Sequence, residues 1–290
     1  MQTWQVGDAT ITKIVELESV GDAELMLPAA TPEAVEGIDW LYPHFMTRDG
    51  RLRTSIHSLV IETPERRILV DTALGNQKQG RPVDAWNNLD TPFLRRLAEA
   101  GFPAESIDTV LFTHLHMDHV GWNTRLVDGN WVPTFTNARH LVVREELDHW
   151  RADAETATDG MRRAYAAAFA DSVRPVVEAG LVDLVGNRHQ VGDGVRLAPT
   201  PGHTPGHVSI EITSRGERAL ITGDCIHHPA QLAHPEWTSH GDLDAAQAVR
   251  TRRELLSALA DDRSLLIGTH FAGPTAGYVV RDGDSYRLHA

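Results

Sequence analysis

The stretch TVLFTHLHMDH, residues 109–119, decides how this chain is interpreted. An apolar strand runs directly into three histidines and an aspartate, so these polar side chains are expected where a strand ends. In extended backbone His114 and His116 point to the same side, while Asp118 and His119 come from the following turn and can face a second ion. Imidazoles and carboxylates suit Zn, Fe, Mn or Co. The pattern predicts a metal site for two ions rather than an ordinary polar loop.

Three later segments carry further ligand types at strand ends. The segment PTPGHTPGH places His203 after a Pro-Gly turn, and LITGDC and LLIGTHF place Asp224 and His270 after apolar strands. The single cysteine, Cys225, excludes an internal disulfide, and its packing is expected to be that of a small buried residue. Any metal must therefore be held by histidines and carboxylates.

Together with Asp71 in LVDTALG, these motifs resemble the metallo-β-lactamase-fold superfamily of metallohydrolases over residues 56–271. The resemblance implies an α/β fold built as an αββα four-layer sandwich. It also implies two divalent ions, with zinc first and Fe, Mn or Co as alternatives, and Asp71 orienting the ligands. The implied ligands are His114, His116 and His203 for the first ion, Asp118, His119 and His270 for the second, and Asp224 bridging both. His207 lies in the same turn as His203 and is expected to support the ligands.

Departures within the superfamily narrow the expected reaction. Metallo-β-lactamases proper lack the bridging carboxylate that Asp224 would supply. Glyoxalase II enzymes carry a helical domain after the last ligand, whereas here only 20 residues follow His270. Diiron relatives have Glu in place of His116. The chain resembles most the lactonase and methyl parathion hydrolase-like branch. This implies a metal-bridging hydroxide that attacks a lactone or related carboxylic ester. The alternatives are a phosphotriesterase or phosphodiesterase, a glyoxalase II-like thioester hydrolase, and a non-catalytic metal-binding protein.

Candidate substrate residues lie beside the ligands. Acyl-homoserine lactonases carry a Tyr three positions after the bridging Asp, where this chain has His227, whose imidazole can still donate a hydrogen bond to a substrate carbonyl. His228, Trp122 and Phe271 are the further candidates for the pocket, with core packing as the alternative for each aromatic residue. Hydrogen-bonded structural roles are the alternative for both histidines. Either Asp118 or Asp224 can pass a proton to the leaving group.

Composition limits the possible partners. The chain has 290 residues and a formal charge of -13 without any Lys/Arg-rich run, which argues against a nucleic-acid partner. Its first residues lack the features of a signal peptide, and no apolar run approaches a membrane span, so a cytoplasmic protein with no membrane partner is expected. The expected partner is a small ester or lactone.

Interspersed strand and helix patterns indicate a single domain over residues 1–290. Helices are predicted in PFLRRLAEA, with Thr91 as its cap and Pro92 at its first position, in MRRAYAAAFADSV and in LDAAQAVRTRRELLSALA. Residues 18–54 form a loop-like extension rich in apolar side chains. The extension is predicted to cover a pocket mouth or a homodimer interface, and the alternative is an arm packed on its own core.

Overall fold

The computed structural model describes residues 1–192 and 194–290. The chain divides into two compact units, one of residues 1–17 and 56–189 and the other of residues 18–55 and 190–290. The predicted single domain over residues 1–290 stays a prediction.

The first sheet has seven strands in the order β1-β2-β3-β4-β5-β8-β9. Its strands are β1 (Gln2–Val6), β2 (Ala9–Gly21), β3 (Leu52–Glu62), β4 (Arg67–Val70), β5 (Thr109–Leu111), β8 (Arg139–Val143) and β9 (Val182–Val185). The strands β4, β5, β8 and β9 run parallel to one another. The carboxyl ends of parallel strands lie at one edge of a sheet, where ligands of α/β proteins usually bind. Asp71 follows β4 and His114 follows β5, so both residues come from this edge.

The second sheet also has seven strands, in sequential order from β10 to β16. They are β10 (Gln190–Gly192), β11 (Val195–Pro199), β12 (Val208–Ser214), β13 (Glu217–Ile221), β14 (Leu265–Ile267), β15 (Ala276–Asp282) and β16 (Ser285–His289). The pair β13–β14 is parallel, and β11 shares their direction because two antiparallel pairings separate it from β13. His203, Asp224 and His270 therefore all follow strands that end at the same edge.

A small hairpin, eight α-helices and several short 3₁₀ turns make up the rest of the described secondary structure. The hairpin consists of β6 (Thr124–Val127) and β7 (Asn130–Pro133). The helices are α1 (Pro32–Glu36), α2 (Phe93–Glu99), α3 (Met117–Val120), α4 (Arg144–Thr156), α5 (Gly160–Ala168), α6 (Arg174–Glu178), α7 (Ala230–Ala233) and α8 (Ala245–Asp262), with a π-helical turn at Phe169–Val173. The predicted α/β architecture and the strands and helices named from the sequence are confirmed.

The predicted cap of α2 was wrong. Pro92 occupies the position before the first helical residue and no side chain caps the helix. The hydroxyl of Thr91 instead donates to the buried carboxylate of Glu16, at 3.0 Å, and lies 3.2 Å from the side-chain oxygen of Asn76. The Thr91 hydroxyl therefore binds a buried carboxylate from a distant strand and does not cap α2.

Each unit has its own apolar core. In the first unit, Leu69, Val110 and Phe112 pack with Phe93 and Trp122. In the second unit, the segment 18–54 is less loop-like than expected, because it includes α1 and two short 3₁₀ turns. Its Leu27, Leu41 and Phe45 are buried together with Leu256 and Phe271. The segment thus packs on a core of its own unit, and its predicted place at a pocket mouth or dimer interface stays a prediction.

Within residues 1–192 and 194–290, no helix combines the length and the apolar character needed to cross a membrane. The predicted cytoplasmic location stays a prediction.

Candidate metal centre

The motif of the first unit forms a compact group of buried imidazoles. His114 and His116 precede α3, with His116 in extended backbone, while Asp118 and His119 lie within that short helix. The ring centre of His114 lies 4.6 Å from that of His116 and 4.0 Å from that of His119. All three histidines are at most 4% exposed. Residues 114–119 alone therefore bring three imidazoles close together.

Asp71 organises this group through hydrogen bonds. Its carboxylate accepts the Thr113 N–H at 2.9 Å, the Thr113 hydroxyl at 2.8 Å and His119 Nδ1–H at 2.9 Å. Since the Thr113 hydroxyl donates to Asp71, it accepts the Nδ1–H of His114, at 3.0 Å. Both imidazoles then carry their proton on Nδ1 and keep the Nε2 lone pair as a metal donor. The geometry is the one expected of the ligand-orienting role predicted for Asp71.

The sequence did not reveal the residues that surround His116. Its ring stacks on Tyr165 of α5, with centres 4.6 Å apart, and meets the edge of Trp150 of α4 at 5.1 Å. Glu146, which is 1% exposed, accepts hydrogen bonds from the Leu115 N–H at 3.1 Å and the Trp150 indole at 2.6 Å. These residues come from helices 30 to 50 positions away in the chain, and no local motif marked them.

In the second unit, three imidazoles surround the carboxylate of Asp224. The Nε2 atoms of His203, His227 and His270 lie 3.4, 3.3 and 3.1 Å from its oxygens. Asp224 is 4% exposed and follows β13 in a short turn. Asp224, His203 and His270 are the residues predicted as ligands from this part of the sequence, and their role as metal ligands stays a prediction.

The other ring nitrogens are held by backbone and side-chain acceptors. His203 Nδ1–H donates to Asp242 at 2.9 Å and His270 Nδ1–H donates to the Ser55 carbonyl at 3.2 Å. Burial alone would raise the pKa of the Asp242 carboxyl, but the hydrogen bond from His203 and nearby positive charge outweigh it and lower the pKa to about 2. Asp242 is therefore ionised at neutral pH. No local motif marks this residue, because HGDLD resembles an ordinary polar turn.

His207 supports Asp224 instead of taking a ligand position. Its Nε2 accepts the Asp224 N–H at 2.9 Å, so its proton lies on Nδ1 and is donated to Thr200, whose carbonyl is 3.0 Å away. Both ring nitrogens are thus engaged within the second unit. The expected role of His207 in supporting the ligands stays a prediction.

Three predicted pocket residues are buried and packed or hydrogen-bonded within their own unit, and their place in a substrate pocket stays a prediction. Trp122 is 5% exposed, stacks on Phe93 and donates its indole N–H to Glu16 at 2.6 Å. Phe271 is fully buried beside Phe45. His228 is fully buried, donates Nε2–H to the Phe45 carbonyl at 3.0 Å and accepts the Ala230 N–H at 3.1 Å. Apolar packing and satisfied hydrogen bonds account for all three side chains.

His227 differs from His228 in its surroundings. Its backbone N–H is held by Gln231 at 2.8 Å, and its ring lies parallel to that of His270 with centres 6.3 Å apart. Among residues 1–192 and 194–290, its buried Nδ1 has no hydrogen-bond partner. His227 therefore retains a polar atom that the fold does not use.

The residues of each unit fit a divalent transition metal. Each unit presents buried imidazoles whose Nδ1 protons are donated to protein acceptors, together with a carboxylate beside their Nε2 atoms. Nitrogen and oxygen donors of this kind, oriented by hydrogen bonds from the opposite ring nitrogen, are typical of zinc sites and of related metals. No thiolate contributes, because the single cysteine is buried and burial raises the pKa of its thiol to about 12.

Comparison with known proteins establishes the family. The metallo-beta-lactamase superfamily matches residues 52–270, so the chain belongs to that superfamily. The predicted metallo-β-lactamase fold is confirmed, and the protein is a metal-dependent hydrolase of this class.

Among its relatives are a probable metallo-hydrolase of Mycobacterium bovis and an N-acyl homoserine lactonase, AiiA, of Bacillus thuringiensis subsp. kurstaki. The former is 25% identical over 258 residues, covering 80% of this chain and 76% of the relative. The latter is 27% identical over 198 residues, covering 62% and 67%.

Two solved structures share the fold over 99% of this chain. The hydrolase AbOPH of the β-lactamase superfamily superposes with a TM-score of 0.81 at 26% identity and is covered over 95% of its length. AidC, a dizinc quorum-quenching lactonase, superposes with a TM-score of 0.79 at 20% identity and is covered over 96%, a similarity that concerns the fold alone.

Proposed function

We propose that the protein is a dinuclear metallohydrolase that opens lactones or cleaves related carboxylic esters. The observation that carries this proposal is the matched donor chemistry of the two units, in which hydrogen bonds leave imidazole Nε2 atoms as donors beside buried carboxylates. The ligand assignment follows the family resemblance. It gives His114, His116 and His203 to one ion, Asp118, His119 and His270 to the other, and Asp224 to both.

Zinc is the proposed metal. Imidazole and carboxylate donors suit zinc, and AidC, which shares the fold, is a dizinc protein. When bound, two divalent ions activate water as a nucleophile and polarise the ester carbonyl. The protein does not need a serine or cysteine nucleophile for this reaction.

An ester or lactone is the proposed substrate class because several relatives are N-acyl homoserine lactonases. The family resemblance implies that His227 takes the position of a tyrosine in such lactonases, and its buried Nδ1 has no partner among the described residues. We assign His227 the role of hydrogen-bond donor to the substrate carbonyl. This donor would stabilise the negative charge that develops on the carbonyl oxygen during attack.

Proton transfer to the leaving oxygen is assigned to Asp118. The carboxylate of Asp224 is surrounded by three imidazole Nε2 atoms within 3.4 Å. The Asp118 side chain is 15% exposed, with one oxygen 3.7 Å from His119 Nε2. Asp118 is therefore the carboxylate with more freedom to exchange a proton with the leaving group.

The test joins metal analysis to a substrate panel. The purified protein is expected to hold about two zinc ions per chain and to hydrolyse lactones with a higher kcat/KM than matched aryl esters, thioesters or phosphotriesters. Full metal content without activity on lactones or aryl esters would contradict the ester assignment. A higher kcat/KM on phosphotriesters would favour the alternative phosphoryl substrate.

Variants at two histidines then test the substrate contact. His227→Phe is expected to lower kcat on lactones about 100-fold while the metal content stays unchanged, since one oxyanion donor is commonly worth that much. His234→Phe is the matched control, because this partly exposed ring stacks on Trp237 and contacts none of the proposed ligands in the described structure. Equal activity of the His227 variant and the control would remove His227 from the reaction.

A further inference from the structure

A buried ion pair lies behind His203 in the second unit. Arg252 of α8 has a fully buried guanidinium. Its Nε donates to the Cys225 carbonyl at 2.8 Å, and its Nη1 donates to the carbonyls of Pro235 at 2.9 Å and Trp237 at 2.7 Å. Its Nη2 lies 3.8 Å from Asp242. Since isolated charges are costly in a protein interior, Arg252 and Asp242 each need the other's charge nearby.

The carboxylate of Asp242 is also fully buried and is engaged on both oxygens. Oδ1 accepts the Nδ1–H of His203 at 2.9 Å and the Ser239 hydroxyl at 3.3 Å, while Oδ2 accepts the Ser239 N–H at 2.9 Å. The Ser239 and Arg252 contacts fix where the carboxylate lies. The carboxylate in turn fixes the plane and the tautomer of the His203 imidazole.

The loop that carries Asp242 is fastened to the turn that carries His203. The Leu243 N–H donates to the His203 carbonyl at 3.0 Å, and the Asp244 N–H donates to the Gly202 carbonyl at 2.9 Å. A Cβ at Gly241 would lie 2.8 Å from Cε1 of the His203 ring, so only glycine allows the loop to approach this closely. The His203 imidazole is therefore closely packed against a loop and a helix that follow it by about 40 residues in the chain.

We infer that Asp242 is a positioning residue for His203, and that Arg252 holds both Asp242 and the backbone immediately after Asp224. The inference rests on the proposed function, in which His203 and Asp224 bind metal. A carboxylate on Nδ1–H keeps Nε2 deprotonated and makes it a stronger donor, an effect worth about 10- to 100-fold in metal affinity. Asp242 thus does for His203 what Asp71 does for His119 in the first unit.

The test compares Asp242→Asn with Asp244→Asn, two substitutions of one type in the same loop. Asp244 caps α8 through the Gln247 N–H, and Asn caps helices as well as Asp does. Zinc affinity is measured by competition with a chromophoric chelator. Asp242→Asn is expected to weaken one of the two zinc sites about 10- to 100-fold, and Asp244→Asn to change neither by more than about threefold.

A second background separates positioning from general stability. In a His203→Ala chain, the added Asp242→Asn substitution is expected to cost less than about threefold in zinc affinity, because Asp242 acts through the ring that is gone. If Asp242→Asn fails to fold, Ser239→Ala removes one hydrogen bond to the carboxylate, and an effect of about two- to tenfold is expected.

The outcomes distinguish the two claims. Wild-type protein that binds no zinc overturns the proposed function, and the inference falls with it. Wild-type protein with two zinc ions and an Asp242→Asn variant of unchanged affinity overturns the inference alone. An equal effect of Asp242→Asn with and without His203 also overturns the positioning role, because the substitution would then act through the fold as a whole.

Discussion

At the scale of single residues, one buried carboxylate in each unit determines which ring nitrogen of the neighbouring histidines carries the proton. Asp71 accepts a hydrogen bond from His119 directly and is linked to His114 through the Thr113 hydroxyl. Asp242 accepts a hydrogen bond from His203. An imidazole binds metal only through a nitrogen without a proton, so these acceptors prepare the rings for ligation. The buried imidazole of His228 is different, because both of its nitrogens serve the fold.

His228 makes the stability of the metal-free protein sensitive to acid. Burial lowers the pKa of its imidazole from 6.5 to about 4. Between these pH values the unfolded chain binds a proton that the folded chain does not, so the free energy of unfolding falls as pH decreases. The contribution is present above pH 6.5 and lost as pH falls through about 4. The loss amounts to about 3 kcal/mol.

The measurement is denaturant unfolding of metal-free His228→Gln and wild-type protein from pH 7 to pH 4. The variant is expected to be less stable at pH 7 by about 1–2 kcal/mol, because the Ala230 N–H loses its acceptor, but to lose less stability on acidification. His289→Gln, at an exposed position, serves as the control and is expected to follow the wild-type curve. Parallel curves for wild type and His228→Gln would refute the assignment.

At the scale of elements, α3 and the loop after β4 are joined by close backbone contacts. The Thr72 N–H donates to the His119 carbonyl at 2.7 Å, and the Gly121 N–H donates to the Ala73 carbonyl at 2.7 Å. A Cβ at Gly121 would lie 1.8 Å from the Leu74 carbonyl oxygen, which no side chain can tolerate. The glycine therefore allows the backbone approach that sets His119 beside Asp71.

Gly121→Ala is expected to lower the free energy of unfolding by about 3 kcal/mol or to abolish soluble expression, since overpacking against backbone has no flexible partner to displace. Thermal and denaturant unfolding provide the measurement. Gly160→Ala is the control, because nothing lies within 4 Å of its added methyl group, and it is expected to be neutral or stabilising by up to about 1 kcal/mol. Similar stabilities for the two variants would mean that the loop and α3 move apart at little cost.

At the scale of the whole molecule, metal binding is expected to be coupled to stability. The candidate ligands are spread from residue 114 to residue 270, so the unfolded chain cannot present them as one group. An ion that binds only the folded state stabilises it by about 2.7 kcal/mol when its free concentration is 100 times the Kd. Chelation is therefore expected to lower Tm by about 5–10 °C.

The measurement is thermal unfolding of the metal-loaded and chelated protein, with metal content determined on the same samples. Adding zinc back is expected to restore the original Tm, which separates metal loss from irreversible damage. An unchanged Tm in protein shown to be free of metal would indicate that the ligand groups do not hold an ion in the folded state.

The sequence alone determined the family, the α/β class and the ligand candidates, because these depend on local patterns. An apolar strand followed at once by His114, His116, Asp118 and His119 is such a pattern, and so are the apolar strands that end just before Asp224 and His270. Side chains at the ends of parallel strands share an edge, so their convergence within a unit could be expected.

Only the tertiary structure decided which residues hydrogen-bond to the predicted ligands and which side chains pack around the predicted pocket residues. Asp242, Arg252 and Glu146 act through contacts with residues distant in sequence, so no local spacing marks them. Trp122 was assigned to a pocket because of its position in the motif, yet the fold buries it against Phe93 and Glu16. The local sequence pattern determines which residues lie at the end of a strand. Their burial and hydrogen-bond partners depend instead on the distant segments that pack against them.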